Sequence, residues 1–306
     1  MSDNDLHHKW KKFVKRDWSE IRTSWLGNVP KFPNVGAAPD PGLEQLAPLL
    51  AIPLPDHNDK FPDVDGLRSN ALWEAVFLFH KCAHAHLAAQ RIGQQGMHSW
   101  SLFNAYHSAY LGARGLMALL GVSMLLRSQG GQYAIDLFPE PTKKKRTAPS
   151  PLLAQEFIIV RLPMLDQRYL WESFQRVIQI TSAAPWDVKL RDALLDIDYK
   201  DFSRPRNKYL YNAAFWPQRA DLIGDLVLDD FNKLFGVTLE IAEEGFLLRL
   251  CFSVYRLFEQ LMTDLASQSA IIKEQVDVSR VVANAGLPAV ECYANFLSQV
   301  AAAAPA

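Results

Sequence analysis

Apolar side chains recur every three to four residues along most of the chain, the spacing that lines one face of an α-helix. Over His7 to Leu26 the stripe is Trp10, Phe13, Val14, Trp18, Ile21 and Trp25, with Lys9, Lys11, Lys12, Lys15, Arg16 and Arg22 between them. This pattern predicts a basic, tryptophan-rich helix. Its indoles either pack on the protein's own core or dock on a partner, a nucleic acid or a lipid surface. From Gly27 to Gly66 the chain changes character: Pro30, Pro33, Pro39, Pro41, Pro48, Pro53, Pro55 and Pro62 forbid a long helix and predict an extended arm that wraps the core. The core proper is expected from Ser69, where Leu72, Val76, Phe79, His80, Ala83 and Leu87 keep the helical period and Ser69 or Asn70 can cap the start. A break follows at Gly93 to Gly96.

The next helix, about Ser99 to Leu126, is apolar on nearly every side. Leu102, Tyr106, Ala109, Ala113, Leu116 and Leu120 form one stripe, and Phe103, Tyr110 and Met117 a second, so it is predicted at the centre of a bundle. Ala105, Ala109, Gly112 and Ala113 would let neighbouring helices approach closely. Further helices are expected at Leu170 to Ile180, Val188 to Ile197 and Leu222 to Leu234. A long stripe follows from Phe246 to Leu265, and a last helix over about Val276 to Val300 is interrupted by Gly286 and Pro288. Two runs rich in Ile, Val, Phe and Tyr, Gly131 to Leu137 and Glu156 to Leu162, read instead as the strands of a small hairpin. Between them stand Lys143, Lys144, Lys145 and Arg146, a basic loop that is either solvated or touches phosphate. The chain thus divides into a helix and proline-rich arm over 1–68, a helical domain over 69–300 with an insertion at about 127–170, and an alanine-rich tail over 301–306.

Composition narrows the classes of function. Of 306 residues 49% are hydrophobic, enough to bury a sizeable core. Lys plus Arg at 32 against Asp plus Glu at 33 leave no global field for nucleic acid or membrane, so any polyanion site must be local. Cys82, Cys251 and Cys292 are far apart and lack CxxC spacing, which fits buried thiols in a reducing cytoplasm better than a disulfide framework. The polar opening Met1 to Trp10 is not expected to be a signal peptide, and the apolar run Leu116 to Leu126 is too short to span a bilayer, so no membrane association is expected.

Two local groupings invite a chemical reading. His80, Cys82, His84 and His86 share a helix, with His80 and His84 one turn apart. No zinc signature accompanies them, and His80 on the apolar stripe reads as a hydrogen-bonded core histidine. Arg91 and His98 bracket a glycine-containing loop and read as a coincidence of spacing. Neither a metal nor another cofactor is expected.

The stretch Asn104-Ala-Tyr-His-Ser-Ala-Tyr-Leu-Gly-Ala-Arg-Gly-Leu-Met-Ala-Leu-Leu-Gly-Val122 resembles the second helix of HEPN domains, in tyrosines with small residues, an alanine–arginine pair, a leucine run and a Gly-Val stop. Leu72 to Arg91 stands where the first helix of that superfamily would be. Leu194 to Asn212, with Arg204, Arg206, Asn207, Lys208, Tyr209 and Tyr211, is similar to its arginine–asparagine motif. The resemblance covers roughly 70–126 and 186–268. It implies a mainly α, up-and-down HEPN-like bundle, here with an inserted β-hairpin and an extended N-terminal arm.

The resemblance also implies a role in prokaryotic defence or toxin–antitoxin systems, a homodimer or a protein partner, and RNA as a further partner. In the ribonucleases of that superfamily an arginine, a polar residue and a following histidine cleave RNA without metal. The arginine stabilises charge on phosphate and the histidine moves protons. By that pattern Arg206, Asn207 and Tyr211 would be the catalytic set, with Arg204, Arg206, Lys208 and the Lys143 to Arg146 loop on RNA phosphates. The histidine position is occupied by Tyr211, Asn212 or Ala213, and a tyrosine of pKa about 10 is a poor base at neutral pH. The expected function is therefore a non-catalytic or regulatory interaction subunit that binds RNA or nucleotide through Arg206. The alternative is an endoribonuclease in which Tyr211 or His107 replaces the histidine. A purely structural Arg206 would pair with Asp198 or Asp201.

Overall fold

The computed structural model describes residues 15–29, 60–62, 66–95, 97–127, 131–138, 156–162, 167–202 and 243–284. It is mostly helical. In chain order the elements are β1 (Arg16–Asp17), α1 (Trp18–Asn28), β2 (Lys60–Pro62), α2 (Leu67–Gln94), α3 (His98–Leu119), β3 (Val122–Arg127), β4 (Gly131–Asp136) and β5 (Glu156–Leu162). Then come α4 (Gln167–Ile180), β6 (Thr181–Ser182), α5 (Val188–Leu195), a 3₁₀ turn (Tyr199–Asp201), α6 (Glu243–Ala266) and α7 (Ala270–Asn284).

Helix α3 is the axis of the bundle, and the small residues of the sequence explain how. A Cβ on Gly112 would lie 2.8 Å from both Cys82 Sγ on α2 and Val254 Cγ1 on α6. One on Gly115 would lie 2.5 Å from the Phe258 ring and 2.8 Å from Leu78 Cβ. The α2 and α6 backbones approach α3 so closely because those side chains are missing. Helix α6 turns Leu247, Leu250, Cys251, Val254, Leu257, Phe258, Leu261 and Leu265 inward along one stripe. Its outer face carries the Arg256–Glu259 ion pair. Helix α7 lies on α2 and α6, and α4 on α3. Leu170, Trp171, Phe174, Val177 and Ile178 make the buried face of α4.

Helix α3 is shorter than its apolar run. It ends at Leu119, and Val122–Arg127 is a strand rather than the helix end expected through Leu126. Gly121, at φ +87°, takes the left-handed conformation that stops the helix and turns the chain into the sheet. The predicted hairpin, β4 against β5, is the middle of a four-stranded antiparallel sheet of order β2-β5-β4-β3. Ile135 faces Ile159 and Ala134 faces Val160 across the central pair, and Ser123 faces Ile135 across β3–β4. Strand β2 comes from the proline-rich arm and sits at an edge, where Pro62 needs no ladder donor.

Two helix starts also differ from expectation. Asp17 caps α1 by accepting from Ser19 N at 2.9 Å, and the preceding Arg16–Asp17 is extended, in parallel register with Thr181–Ser182. Within the described residues α1 begins at Trp18 rather than running in from Lys15; Trp10, Phe13 and Val14 lie outside the described residues. Helix α2 begins at Leu67 behind Gly66, ahead of the expected Ser69 or Asn70 cap, and the Ser69 hydroxyl instead donates to the Gly66 carbonyl at 2.9 Å. The indoles of Trp18 and Trp25 are buried in the core. Trp18 Nε1 donates to Asp264 at 2.7 Å and Trp25 Nε1 to the Leu119 carbonyl at 2.7 Å. For these two tryptophans, packing on the protein's own core is the outcome. The segments expected as helices at Leu222 to Leu234 and beyond Asn284 lie outside the described residues, as does the tail.

Candidate functional site

Arg204, Arg206, Asn207, Lys208 and Tyr211 lie outside the described residues, and so do Lys143, Lys144, Lys145 and Arg146. What the structure does describe is the chain leading to the arginine–asparagine segment. Asp198 caps the 3₁₀ turn by accepting from Lys200 N at 2.9 Å, and the next residue after the turn, Phe202, is fully buried. Its ring stacks on Trp171 of α4, with centroids 4.7 Å apart and planes at 13°, and lies 6.3 Å from Phe246 at the start of α6. The Trp171 indole N–H in turn donates to Tyr106 Oη on α3, at 3.4 Å, and Tyr106 Oη donates to Gln167 Oε1 at 2.6 Å. Arg206 thus follows four residues after an aromatic anchor shared by α3, α4 and α6. An extended chain of that length reaches at most about 14 Å.

The histidines and cysteines inside the bundle are engaged in packing. The two ring nitrogens of His80 meet two residues of α7: Nε2 donates to Gln275 Oε1 at 3.1 Å, and Nδ1 accepts from the Ser279 hydroxyl at 2.5 Å. This is the hydrogen-bonded core histidine that the apolar stripe predicts. Burial holds its pKa below the ordinary histidine value, against the opposing effect of the Gln275 hydrogen bond. A depressed histidine binds its proton more readily in the unfolded chain. The stability it contributes is therefore complete above about pH 6.5 and is lost as pH falls from there through the lowered folded value. His80→Gln is expected to flatten this part of the pH–stability curve, measured as urea midpoints between pH 7 and pH 5.

Six residues on, the His86 ring stacks on Tyr255 with centroids 4.5 Å apart, and its Nδ1 lies 3.3 Å from Cys251 Sγ. Cys82 is fully buried with Ser108 Oγ 3.5 Å from its sulfur, and burial pushes its thiol well up, so that it stays protonated. His84 points outward. Among the described residues no group of three or more His, Cys, Asp or Glu side chains is arranged to hold a metal ion.

The outward side of α3 is different. Trp100, Phe103, His107 and Tyr110 follow one another at spacings of three, four and three residues, within about 80° of arc on the helix. Their rings form a continuous file: Trp100 edge-on to Phe103 at 5.9 Å, Phe103 stacked on His107 at 5.5 Å, and His107 tilted against Tyr110 at 6.5 Å. Trp100 is 62% exposed, Met97 one turn before it is 48% exposed, and His107 is exposed. Phe103 and Tyr110 are half-buried. Asn104, beside the file, turns its amide back onto the Trp100 carbonyl at 2.8 Å. Arg114 closes the file on an ion pair with Glu74 at 3.3 Å.

No family model matches the chain, and neither a curated protein nor a solved structure does. No helix among the described residues is long and apolar enough to cross a membrane. Two members of the file, Phe103 and Tyr110, belong to the second apolar stripe of the sequence, whose third member, Met117, is buried; Trp100 and His107 belong to neither stripe. The side through Leu102, Ala109, Gly112 and Leu116 is core, while the side through Trp100 and His107 faces out. One further sequence signal marked it: Ile92 to Ala113 contains no Asp, Glu, Lys or Arg. An uncharged stretch of that length with an exposed tryptophan is unusual for a solvated helix face.

Proposed function

We propose that the chain is a HEPN-like interaction subunit of a prokaryotic defence or toxin–antitoxin system, non-catalytic or regulatory, which contacts RNA or a nucleotide phosphate through Arg206. One observation carries the interaction half. His80, His86 and Cys82 inside the bundle are engaged in core contacts, while the outward side of α3 carries a file of aromatic rings. Aromatic side chains on an exposed, uncharged helix face are the composition of a recognition surface. The HEPN half rests on the resemblance of Asn104 to Val122. It is supported by the tight packing at Gly112 and Gly115, the small residues of that stretch.

For Arg206, the support is the aromatic anchor at Phe202, which holds the chain close before the arginine–asparagine segment. The same anchor favours the second function, a metal-independent endoribonuclease using Arg206, Asn207 and Tyr211, since a cleaving site needs positioned groups. Arg206→Ala is expected to weaken binding of a short single-stranded RNA about tenfold, the loss of one charge-assisted phosphate contact of roughly 1.4 kcal/mol. Fluorescence anisotropy checks it, and equal affinity for both proteins would remove Arg206 from the function.

A further inference from the structure

We draw no further inference here: the strongest candidate, the surface patch of aromatic rings that Trp100, Phe103, His107 and Tyr110 form on the outward side of α3, carries nothing because nothing in the structure shows what covers it.

Discussion

Asp136→Ala is expected to lower the free energy of unfolding by about 3–5 kcal/mol, because it removes the buried carboxylate of a buried ion pair. Arg16 reaches Asp136 Oδ2 through one terminal nitrogen at 2.9 Å and the Leu120 carbonyl through the other at 2.9 Å, and both side chains are nearly inaccessible. The other Asp136 oxygen accepts from Phe138 N at 2.9 Å. One ion pair therefore joins the N-terminal strand β1, the end of α3 and the sheet strand β4. Replacing both partners by apolar residues, Arg16→Met with Asp136→Leu, should recover most of the loss, since two well-packed apolar groups carry no desolvation penalty. Denaturant titration of the wild type, the two single variants and the double variant checks this. A single-variant loss below about 1 kcal/mol would mean that water reaches the pair.

Gly121→Ala should cost about 2–4 kcal/mol, from two independent sources. At φ +87° an alanine is strained in the left-handed region, and its Cβ would lie 2.1 Å from the Phe138 ring. That ring cannot swing away freely. It packs edge-on against Trp25 at 5.6 Å, beneath the Arg68 guanidinium at 5.0 Å, and Arg68 donates to the Leu137 carbonyl at 2.7 Å. Trimming the ring with Phe138→Ala in the Gly121→Ala background should relieve the clash and leave the backbone strain. The two substitutions are thus expected to be non-additive in thermal unfolding, and simple additivity would show that the steric contact is absent.

These two sites show where the sequence was readable and where it was not. Helices α2, α4 and α6 follow from the 3.6-residue period of their apolar residues, a local signal; the break expected at Gly93 to Gly96 comes later, since α2 runs through Gly93 to Gln94. Strand β3 was hidden inside an apolar run, Leu116 to Leu126, interrupted by Gly121 and Ser123. Periodicity cannot separate a buried helix from a buried strand there, and only Gly121 marks the change. Strand β2 was hidden by its prolines, which argue for an arm and say nothing of an edge partner as distant as Lys60 opposite Ile158. The Arg16–Asp136 pair is a contact across 120 residues that no local pattern encodes. On the functional side, the core role of His80 was legible from its position on the apolar stripe. Of the aromatic file only Phe103 and Tyr110 stood in a predicted stripe, and the small residues on the other side of α3 decide which side faces out. That choice depends on α6, far along the chain.

The most direct test of the central claim is the fate of RNA incubated with the purified full-length chain, single-stranded and structured substrates side by side, with Arg206→Ala as the control. An interaction subunit leaves both RNAs at full length with either protein. Shortened RNA that appears with the wild type and is lost with Arg206→Ala would contradict it and make the chain an endoribonuclease.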